Sequence, residues 1–330
     1  MSRIAVLGAG AWGTALALSL HQRRGHTVSL WSHSAPHAAD MQSAHENHKY
    51  LPNFPLPHDL EIHTDLARTV TNAEIILTVV PAQHLRTVIA QLAPALTKDH
   101  IIVTASKGIE DKTFLRMTQV VAELTPVQTA VLSGPSFAQE VAAGMPTAIT
   151  IASADLDLAQ NIQKEFSSTT LRLYTNDDVI GVELGGALKN VIALASGVVT
   201  GLNLGHNPAA ALITRGIAEI TRLAVACGGQ PQTLAGLSGV GDLVLTCTGS
   251  LSRNRTVGIE LGRGRALPDI LAALDGKVAE GVRSTTAALG LAKLHNVEMP
   301  ITEQMAAVLY QGKPPKEAIR DLMSRPGRDE

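Results

Sequence analysis

The sequence is poor in aromatic residues and in cysteine. Phe, Trp and Tyr make up 3% of the 330 residues, so aliphatic side chains must fill the core. Two cysteines, Cys227 and Cys247, are too few for a disulfide framework, which is typical of proteins in a reducing cytosol. The composition therefore excludes small disulfide-stapled folds and favours a cytoplasmic location.

The chain also lacks an excess of charge of one sign and long hydrophobic runs. The formal net charge is −2 and the basic residues are scattered, so no nucleic-acid-binding surface is predicted. The longest apolar run, Val191–Leu202, is shorter than the ~20 residues of a membrane-spanning helix. Ile4–Leu7 is too short for the hydrophobic part of a secretion signal. We expect no nucleic-acid partner, no membrane insertion and no secretory leader.

The pattern of hydrophobic residues changes near residue 178. Before it, short β-rich runs alternate with helical patterns, which predicts βαβ units and a mostly parallel sheet covered on both faces. After it, Ala- and Leu-rich helical patterns take over, among them a helix that Asn207 is expected to cap, with Pro208 at its first position and Gly228 past its end. We predict an α/β domain over residues 1–178 and an all-helical domain over 179–330. Seven strands are predicted, at Ile4–Leu7, Thr27–Trp31, Ile75–Val80, Ile101–Thr104, Thr129–Leu132, Thr147–Ile151 and Leu171–Tyr174.

A glycine-rich motif follows the first predicted strand and opens a helical pattern. Gly8-Ala-Gly10-Ala-Trp-Gly13 matches the dinucleotide-binding pattern G-x-G-x-x-G. Gly8 would permit the tight turn, Gly10 the close approach of a pyrophosphate, and Gly13 the packing of helix on strand. The free N–H groups of the helix N-terminus would bind the phosphates. The motif therefore predicts a dinucleotide site in a doubly wound, Rossmann-type sheet.

The second predicted strand ends at Trp31-Ser32-His33 without an acidic residue. A site restricted to NAD would have Asp or Glu here to bind the ribose 2′-hydroxyl. Since no carboxylate repels a 2′-phosphate, and Ser32 and His33 offer donors to one, we expect NADPH to be accepted and preferred. The alternative is that His33 is an ordinary solvated histidine.

Six histidines between positions 33 and 63 form a candidate metal site. Pro36 is expected to break the helix that would align His33 with His37, and the spacing matches no common ligand set. We therefore expect a solvated histidine-rich loop and no metal.

Polar segments follow several predicted strands: Val80-Pro81, Ser106-Lys107-Gly108 and Ser133-Gly134-Pro135-Ser136. The carboxyl ends of parallel strands share one edge of a sheet, where ligands bind in such folds. Each segment could be a simple turn, but together they predict a substrate cleft beside the dinucleotide.

Lys189 lies in an apolar, small-residue segment, GVELGGALKN over residues 181–190. A buried ammonium loses hydration, which favours its neutral form and makes it available as a proton acceptor. Gly185 and Gly186 would let another group approach the backbone. The alternative is a lysine whose stem covers apolar surface while its amine reaches water.

A second polar segment, residues 239–254, combines Asp242, several hydroxyls and the pair Arg253-Asn254. A guanidinium with neighbouring hydroxyl and amide donors suits a phosphoryl group. Asp242 could orient Lys189 or a substrate hydroxyl. The alternative is a polar loop with Arg253 on the surface.

Taken together, these segments resemble the bacterial type of NAD(P)-dependent glycerol-3-phosphate dehydrogenase. The resemblance spans nearly the whole chain, in the order GAGAWGTALA, LPNFPLP, VVPAQ, SKGIE, LSGPSFAQE, GVELGGALKN, GDLVLTCTGSLSRN and VAEGV. It implies a Rossmann domain followed by an all-α domain like the C-terminal domain of 6-phosphogluconate dehydrogenase. It also implies interconversion of dihydroxyacetone phosphate and sn-glycerol 3-phosphate for phospholipid synthesis, with NADP or NAD as cofactor. The apolar helical half would suit a homodimer.

The resemblance further implies roles for single residues. Lys189 matches the proton-transferring lysine of the family. Substrate contacts are implied at Lys107, Gly134, Ser136, Lys189, Asp242, Ser252, Arg253 and Asn254. Dinucleotide contacts, besides the motif glycines Gly8, Gly10 and Gly13, are implied at Ala11, Trp12, His33, Lys107, Ala138, Arg253, Val278 and Glu280. Ala11 stands where the family often has Ser, so one phosphate hydrogen bond of the family is not expected here, whereas the backbone contacts are.

Two other functions compete with this one. A β-hydroxyacid or 6-phosphogluconate-type dehydrogenase would share the Rossmann-plus-helical plan and a catalytic lysine. A non-catalytic dinucleotide sensor would not need Lys189, Asp242 and Arg253, whose joint presence argues against it.

Overall fold

The computed structural model describes residues 2–22, 26–274 and 278–327. Within these residues, an eight-stranded sheet and a two-stranded hairpin make up the strands of the N-terminal part. The strands are β1 (Arg3–Leu7), β2 (Thr27–Trp31), β3 (Glu46–Asn47), β4 (Leu51–Pro55), β5 (Glu61–His63), β6 (Ile75–Thr78), β7 (Ile101–Thr104), β8 (Gln128–Ser133), β9 (Thr147–Ala152) and β10 (Leu171–Asn176). The seven predicted strands are confirmed, whereas β3, β4 and β5 lie in the segment predicted as a histidine-rich loop.

The sheet has the order β10-β9-β8-β7-β6-β1-β2-β5, and its pairs are parallel except β8 with β9. β1 pairs with β2 on one side and with β6 on the other, with Ile4 beside both Val28 and Ile75. The chain therefore reverses its direction of winding at β1. In open parallel sheets, ligands bind at the carboxyl ends of the strands at such a reversal. Gly8 directly follows β1 at this point.

Both faces of the central part of the sheet are buried, because alternate residues of a strand such as β1 enter different cores. Ile4 and Val6 pack into one aliphatic cluster, whereas Ala5 and Leu7 pack into another on the opposite face. The predicted α/β class, with the sheet covered on both faces, is confirmed.

The helices of the α/β part are α1 (Ala11–His21), α2 (Ala35–Ala44), α3 (Leu66–Val70), α4 (Ala82–Leu92), α5 (Met117–Leu124), α6 (Ala138–Ala142) and α7 (Leu156–Phe166), with a 3₁₀ turn at Ala93–Ala95. The helical part contains α8 (Val179–Gly201), α9 (His206–Ala226), α10 (Pro231–Leu234), a π-helical turn at Leu237–Gly241, α11 (Asp242–Thr248), α12 (Arg253–Gly262), α13 (Leu267–Ala272), α14 (Glu280–Leu294), α15 (Pro300–Tyr310) and α16 (Pro315–Met323). No strand occurs after β10 in the described part of the chain.

The change from α/β to helical structure occurs where the sequence predicts it. β10 ends at Asn176, and the Asp178 side chain caps α8 by accepting a hydrogen bond from Gly181 N at 2.8 Å. Every residue of α8 from Gly181 to Val199 is buried, so this helix forms the centre of the second core. The division into domains of residues 1–178 and 179–330 stays our proposal.

α8 and α12 cross at close distance through glycines. A Cβ atom on Gly197 would lie 2.1 Å from the Arg255 carbonyl oxygen, and one on Gly258 2.0 Å from that of Leu194. Real Cβ atoms do not approach this closely, so the crossing requires glycine at both positions. It fixes the N-terminus of α12 beside the middle of α8.

α8 is also long and apolar enough to span a membrane by length and composition. However, 89% of its most apolar window is buried inside the protein, as in the core helix of a globular fold. Among the described residues, the segments Pro231–Thr248 and Arg253–Gly262 pass the same test only together, as a pair bent by 49°.

The predicted start of α9 is wrong by two residues. The helix begins at His206 after Gly205, which adopts φ +87°, so Asn207 is not the cap and Pro208 is the third helical residue. Proline fits there because the first four N–H groups of a helix have no partner within it. The predicted end is confirmed, since Gly228 follows the Cys227 cap with φ +94°.

The prediction of a solvated histidine-rich loop is also wrong. Pro36 does not break a helix; it lies in the first turn of α2, which Ser34 caps by accepting a hydrogen bond from His37 N. The hairpin β3–β4 and strand β5 follow, and β5 pairs with β2 in parallel. In the described residues, no group of three or more His, Cys, Asp or Glu side chains is arranged to hold a metal ion.

Candidate active site

The glycine-rich turn has the geometry of a dinucleotide cradle. Gly8 has φ +124°, and a Cβ atom on Gly13 would lie 1.8 Å from the Gly8 carbonyl oxygen, so strand and helix meet too closely for a side chain. Gly10 has no heavy atom within 4 Å of its ideal Cβ position, which leaves open space in front of the turn. No side chain caps α1 there, so its first N–H groups point into that space. The turn therefore fits a pyrophosphate.

The remaining expected cofactor positions of the α/β half surround this turn. Ala11 is the first residue of α1, and Trp12 and Ala138 pack against the same core. The Trp12 indole N–H is buried without a partner among the described residues. His33 is exposed just past the end of β2. Ser32 does not fit a 2′-phosphate donor, because it is 1% exposed and its hydroxyl lies 3.2 Å from His37 Nδ1.

The three polar segments predicted to share a sheet edge do lie together, since β6, β7 and β8 are parallel neighbours. The Ser106 hydroxyl donates to the Val80 carbonyl at 2.5 Å. The Lys107 ammonium and the Ser136 hydroxyl both donate to the Gly134 carbonyl, each at 3.0 Å. The loops after the three strands are therefore connected by hydrogen bonds.

A buried carboxylate joins this edge to the helical half. Asp242, the first residue of α11, is 0% exposed. Its Oδ1 accepts a hydrogen bond from the Lys189 ammonium of α8, and its Oδ2 accepts one from Lys107 Nζ at 2.7 Å. Two cations thus share one carboxylate, and Lys189 is only 7% exposed. The alternative of a lysine with its amine in water is excluded by this burial.

The surroundings of Lys189 make it a proton donor and acceptor near neutral pH. Burial lowers the pKa of its ammonium from 10.5 to about 8; Asp242 raises this pKa and the neighbouring Lys107 lowers it. Thr246 holds the amine, accepting a hydrogen bond from Lys189 Nζ at 2.9 Å. The Thr246 hydroxyl in turn donates to the Asp242 carbonyl at 2.6 Å, so its lone pair faces the lysine.

The N-terminus of α12 lies beside α8. The Asn254 amide donates to Asn190 Oδ1 at 3.0 Å and accepts from Gly281 N at 3.0 Å. Ser252 caps α12, its hydroxyl accepting from Arg255 N at 3.2 Å. This arrangement places Asn254 next to Asn190, the residue that follows Lys189.

Arg253 is exposed at the start of α12, yet its pKa is lowered because the surrounding protein partly desolvates the guanidinium; Glu280 and Tyr50 act in the opposite direction. Burial raises the pKa of Glu280 to about 7, against the opposing charge of Arg253. The backbone of Ala82 at the start of α4 lowers this pKa, so Glu280 lies near the loop after β6. Val278, two residues before Glu280 in the sequence, is exposed.

The sequence did not single out Thr246, Asn190 or Tyr50. Two of them had a local signal: Thr246 lies four residues after Asp242 on one helix, and Asn190 directly follows Lys189. Tyr50 had none, because its proximity to Arg253 depends on the fold of the hairpin.

The doubly wound sheet has an open glycine cradle at the carboxyl ends of its strands, and Asp242 joins this edge to a buried lysine of lowered pKa. These features define a dinucleotide-dependent oxidoreductase. Residues 3–159 match the model of the NAD-dependent glycerol-3-phosphate dehydrogenase N-terminus, and residues 178–320 match that of its C-terminus. The chain belongs to the NAD-dependent glycerol-3-phosphate dehydrogenase family.

Individual relatives agree with this assignment. The glycerol-3-phosphate dehydrogenase [NAD(P)+] of Acidobacterium capsulatum is 60% identical, with 100% of both chains covered. The enzyme of the same name from Koribacter versatilis is 57% identical over 100% of this chain and 99% of its own. The crystal structure of glycerol-3-phosphate dehydrogenase from Coxiella burnetii superimposes with a TM-score of 0.94 at 43% identity, covering 98% of this chain and 99% of its own. These likenesses confirm the predicted family, fold class and cofactor class.

Proposed function

We propose that the protein catalyses the reversible NAD(P)H-dependent reduction of dihydroxyacetone phosphate to sn-glycerol 3-phosphate. The observation that carries the proposal is the buried Asp242 carboxylate, which holds Lys189 and Lys107 together at the edge of the sheet that the glycine cradle occupies. Relatives of this name cover the whole chain, which supports the same substrate here.

A nicotinamide dinucleotide held at the glycine cradle would supply or take up the hydride. Lys189 donates a proton to the carbonyl oxygen of the substrate in the reducing direction and takes it back in the oxidising direction. Asp242 and Thr246 hold the Lys189 amine in place. Burial, and after it the charge of Lys107, keeps the pKa of the Lys189 ammonium low enough for proton transfer near neutral pH.

The phosphate of the substrate is bound at the N-terminus of α12. Arg253 supplies a partly desolvated guanidinium, with Ser252 and Asn254 beside it. On the side of the sheet edge, the substrate is bordered by Lys107, Gly134 and Ser136.

The residues that would hold the dinucleotide are Gly8, Gly10, Ala11, Trp12, Gly13, His33, Lys107, Ala138, Arg253, Val278 and Glu280. The missing acidic residue after β2 and the exposed His33 support NADPH as the preferred form. The enzyme acts in the cytoplasm, as a homodimer, and supplies phospholipid synthesis.

The test is a substrate panel at fixed NADPH concentration. We expect oxidation of NADPH with dihydroxyacetone phosphate and none above background with β-ketoacids or 3-keto sugar acids. Faster turnover of a keto acid would assign the protein to another dehydrogenase class. Binding of NADPH without any substrate-dependent oxidation would make it a sensor.

A further inference from the structure

Asn47 occupies an unusual position for a polar side chain, because it is 0% exposed and joins two parts of the cofactor region. Its Nδ2 donates to the Ala9 carbonyl at 3.0 Å and to Thr14 Oγ1 at 2.8 Å. Its Oδ1 accepts from Tyr50 N at 3.1 Å and lies 2.9 Å from His37 Nε2. A side-chain amide has two N–H donors and two acceptor lone pairs, so Asn47 uses its full capacity.

The two hydrogen bonds that Asn47 donates hold the glycine cradle through Ala9 and Thr14. Ala9 lies between Gly8 and Gly10, and Thr14 is in the first turn of α1. Asn47 therefore fixes the backbone carbonyl of the turn whose other side is open toward the pyrophosphate. The Thr14 backbone is tied to the same turn, since its N–H donates to the Gly10 carbonyl at 3.0 Å.

The two accepted bonds fix the hairpin segment that carries Tyr50. The half-buried Tyr50 ring meets the His37 ring edge-on, with centroids 5.1 Å apart, and Lys49 Nζ lies 5.3 Å from the Tyr50 centroid. Tyr50 is close enough to Arg253 to affect the pKa of the guanidinium. A single amide thus connects the pyrophosphate turn to the hairpin residue whose charge acts on Arg253, the expected substrate anchor.

We propose that Asn47 is a positioning residue for the dinucleotide, which holds the glycine turn and the Tyr50 segment in the arrangement that binds the cofactor. The proposal rests on the proposed function only in placing the dinucleotide at Gly8–Gly13. Asn47 touches neither substrate nor reacting atoms, so its loss should change affinity far more than the chemical step.

Asn47→Asp tests this with little change in size. It keeps the oxygen that faces Tyr50 N but replaces both N–H donors, so the Ala9 carbonyl faces an acceptor. Thr14→Val removes one of the two donated bonds, and Thr14→Ser keeps it. Asn161→Asp, on the exposed face of α7, is the matched control. Each protein is titrated with NADPH by calorimetry, and its thermal unfolding is recorded.

We expect the NADPH Kd of Asn47→Asp to rise at least about tenfold, since two buried hydrogen bonds are lost. The KM for NADPH should rise with it while kcat at saturation stays within about threefold. Thr14→Val should show a smaller rise, and Thr14→Ser and Asn161→Asp none. If Asn47→Asp does not fold, the contrast between Thr14→Val and Thr14→Ser decides.

A folded Asn47→Asp variant that binds NADPH within twofold of the wild type would overturn the proposal, as would a fall in kcat with unchanged KM. Equal affinities of Thr14→Val and Thr14→Ser would do the same. Absence of NADPH binding by the wild type would instead overturn the proposed function.

Discussion

The buried Asp242 carboxylate accepts a hydrogen bond from the Lys189 ammonium, although 53 residues separate them in the chain. Breaking a buried ion pair by removing one partner leaves an uncompensated charge, which is costly. Here Lys107 binds the second carboxylate oxygen, so the three groups form one electrostatic unit. The protonation of Lys189 therefore depends on both neighbours.

The two neighbours should shift the pH dependence in opposite directions. In glycerol 3-phosphate oxidation Lys189 must be deprotonated to accept the proton, so kcat/KM should rise with pH through about 8. Lys107→Met removes a charge that lowers the Lys189 pKa, so the rise should move to higher pH, whereas Asp242→Asn should move it to lower pH. Each shift should be about one unit or more. Both variants lower the absolute rate, so the position of the inflection is the quantity to measure; shifts of the same sign, or none, would contradict the electrostatic unit.

Arg253 should determine the preference for a phosphorylated substrate. Arg253→Ala should lower kcat/KM for dihydroxyacetone phosphate about 10–100-fold, because a charge-assisted hydrogen-bond pair is lost. With NADPH at saturation, so that the dinucleotide contact of Arg253 does not limit the rate, the slow reaction with unphosphorylated dihydroxyacetone should stay within about threefold, since it has no phosphate to lose. Arg253→Lys should be intermediate. Arg68→Ala, on the exposed side of α3, is the control. Equal losses with both substrates would show that Arg253 does not bind the phosphate.

His33 should set the response to the 2′-phosphate. His33→Asp places a carboxylate just past β2, where it repels the 2′-phosphate and can bind a 2′-hydroxyl. The ratio of kcat/KM for NADPH over that for NADH should fall at least about tenfold. His295→Asp, exposed at the end of α14, should leave the ratio unchanged. An unchanged ratio in His33→Asp would mean that the end of β2 does not meet the ribose.

The glycine crossing of α8 and α12 should be intolerant of a methyl group. Gly258→Ala would place Cβ 2.0 Å from the Leu194 carbonyl oxygen, so the helices must separate, at a cost of about 1–3 kcal/mol in the free energy of unfolding. Since α12 carries Arg253, the KM for dihydroxyacetone phosphate should rise as well. Gly327→Ala, where no atom lies within 4 Å, is the control. An unchanged free energy of unfolding in denaturant titration, together with an unchanged KM in steady-state kinetics, would contradict the crossing.

The elements that the sequence predicts well are those whose signal is local. The central strands contain continuous apolar runs, such as Ile75-Ile76-Leu77, as expected for a sheet that is buried on both faces. The hairpin β3–β4 escaped prediction because it is short and contains prolines, and its buried Asn47 is held by contacts far along the chain.

The same distinction applies to the site. Lys189 and Arg253 stand out by their neighbours in sequence, and the glycine cradle by its motif. The sequence predicts that Asp242 could orient Lys189, and the structure brings the two together. That Lys107 shares the same carboxylate could not be derived, because Lys107 and Asp242 lie 135 residues apart and meet only in the folded chain. Ser32 is an example of the opposite error: the sequence predicts a hydroxyl that can donate to a 2′-phosphate, but the folded chain buries it.

The central claim is that Lys189 transfers the proton, and Lys189→Met tests it most directly because it keeps an unbranched side chain out to the Cε position and removes the amine. With Lys316→Ala, exposed on α16, as the control, the measurement is the rate of NADPH oxidation with saturating dihydroxyacetone phosphate. We predict a fall in kcat of at least ~10²-fold with the NADPH Kd within about threefold of the wild type. Turnover near the wild-type rate in a folded, NADPH-binding Lys189→Met protein would contradict the account.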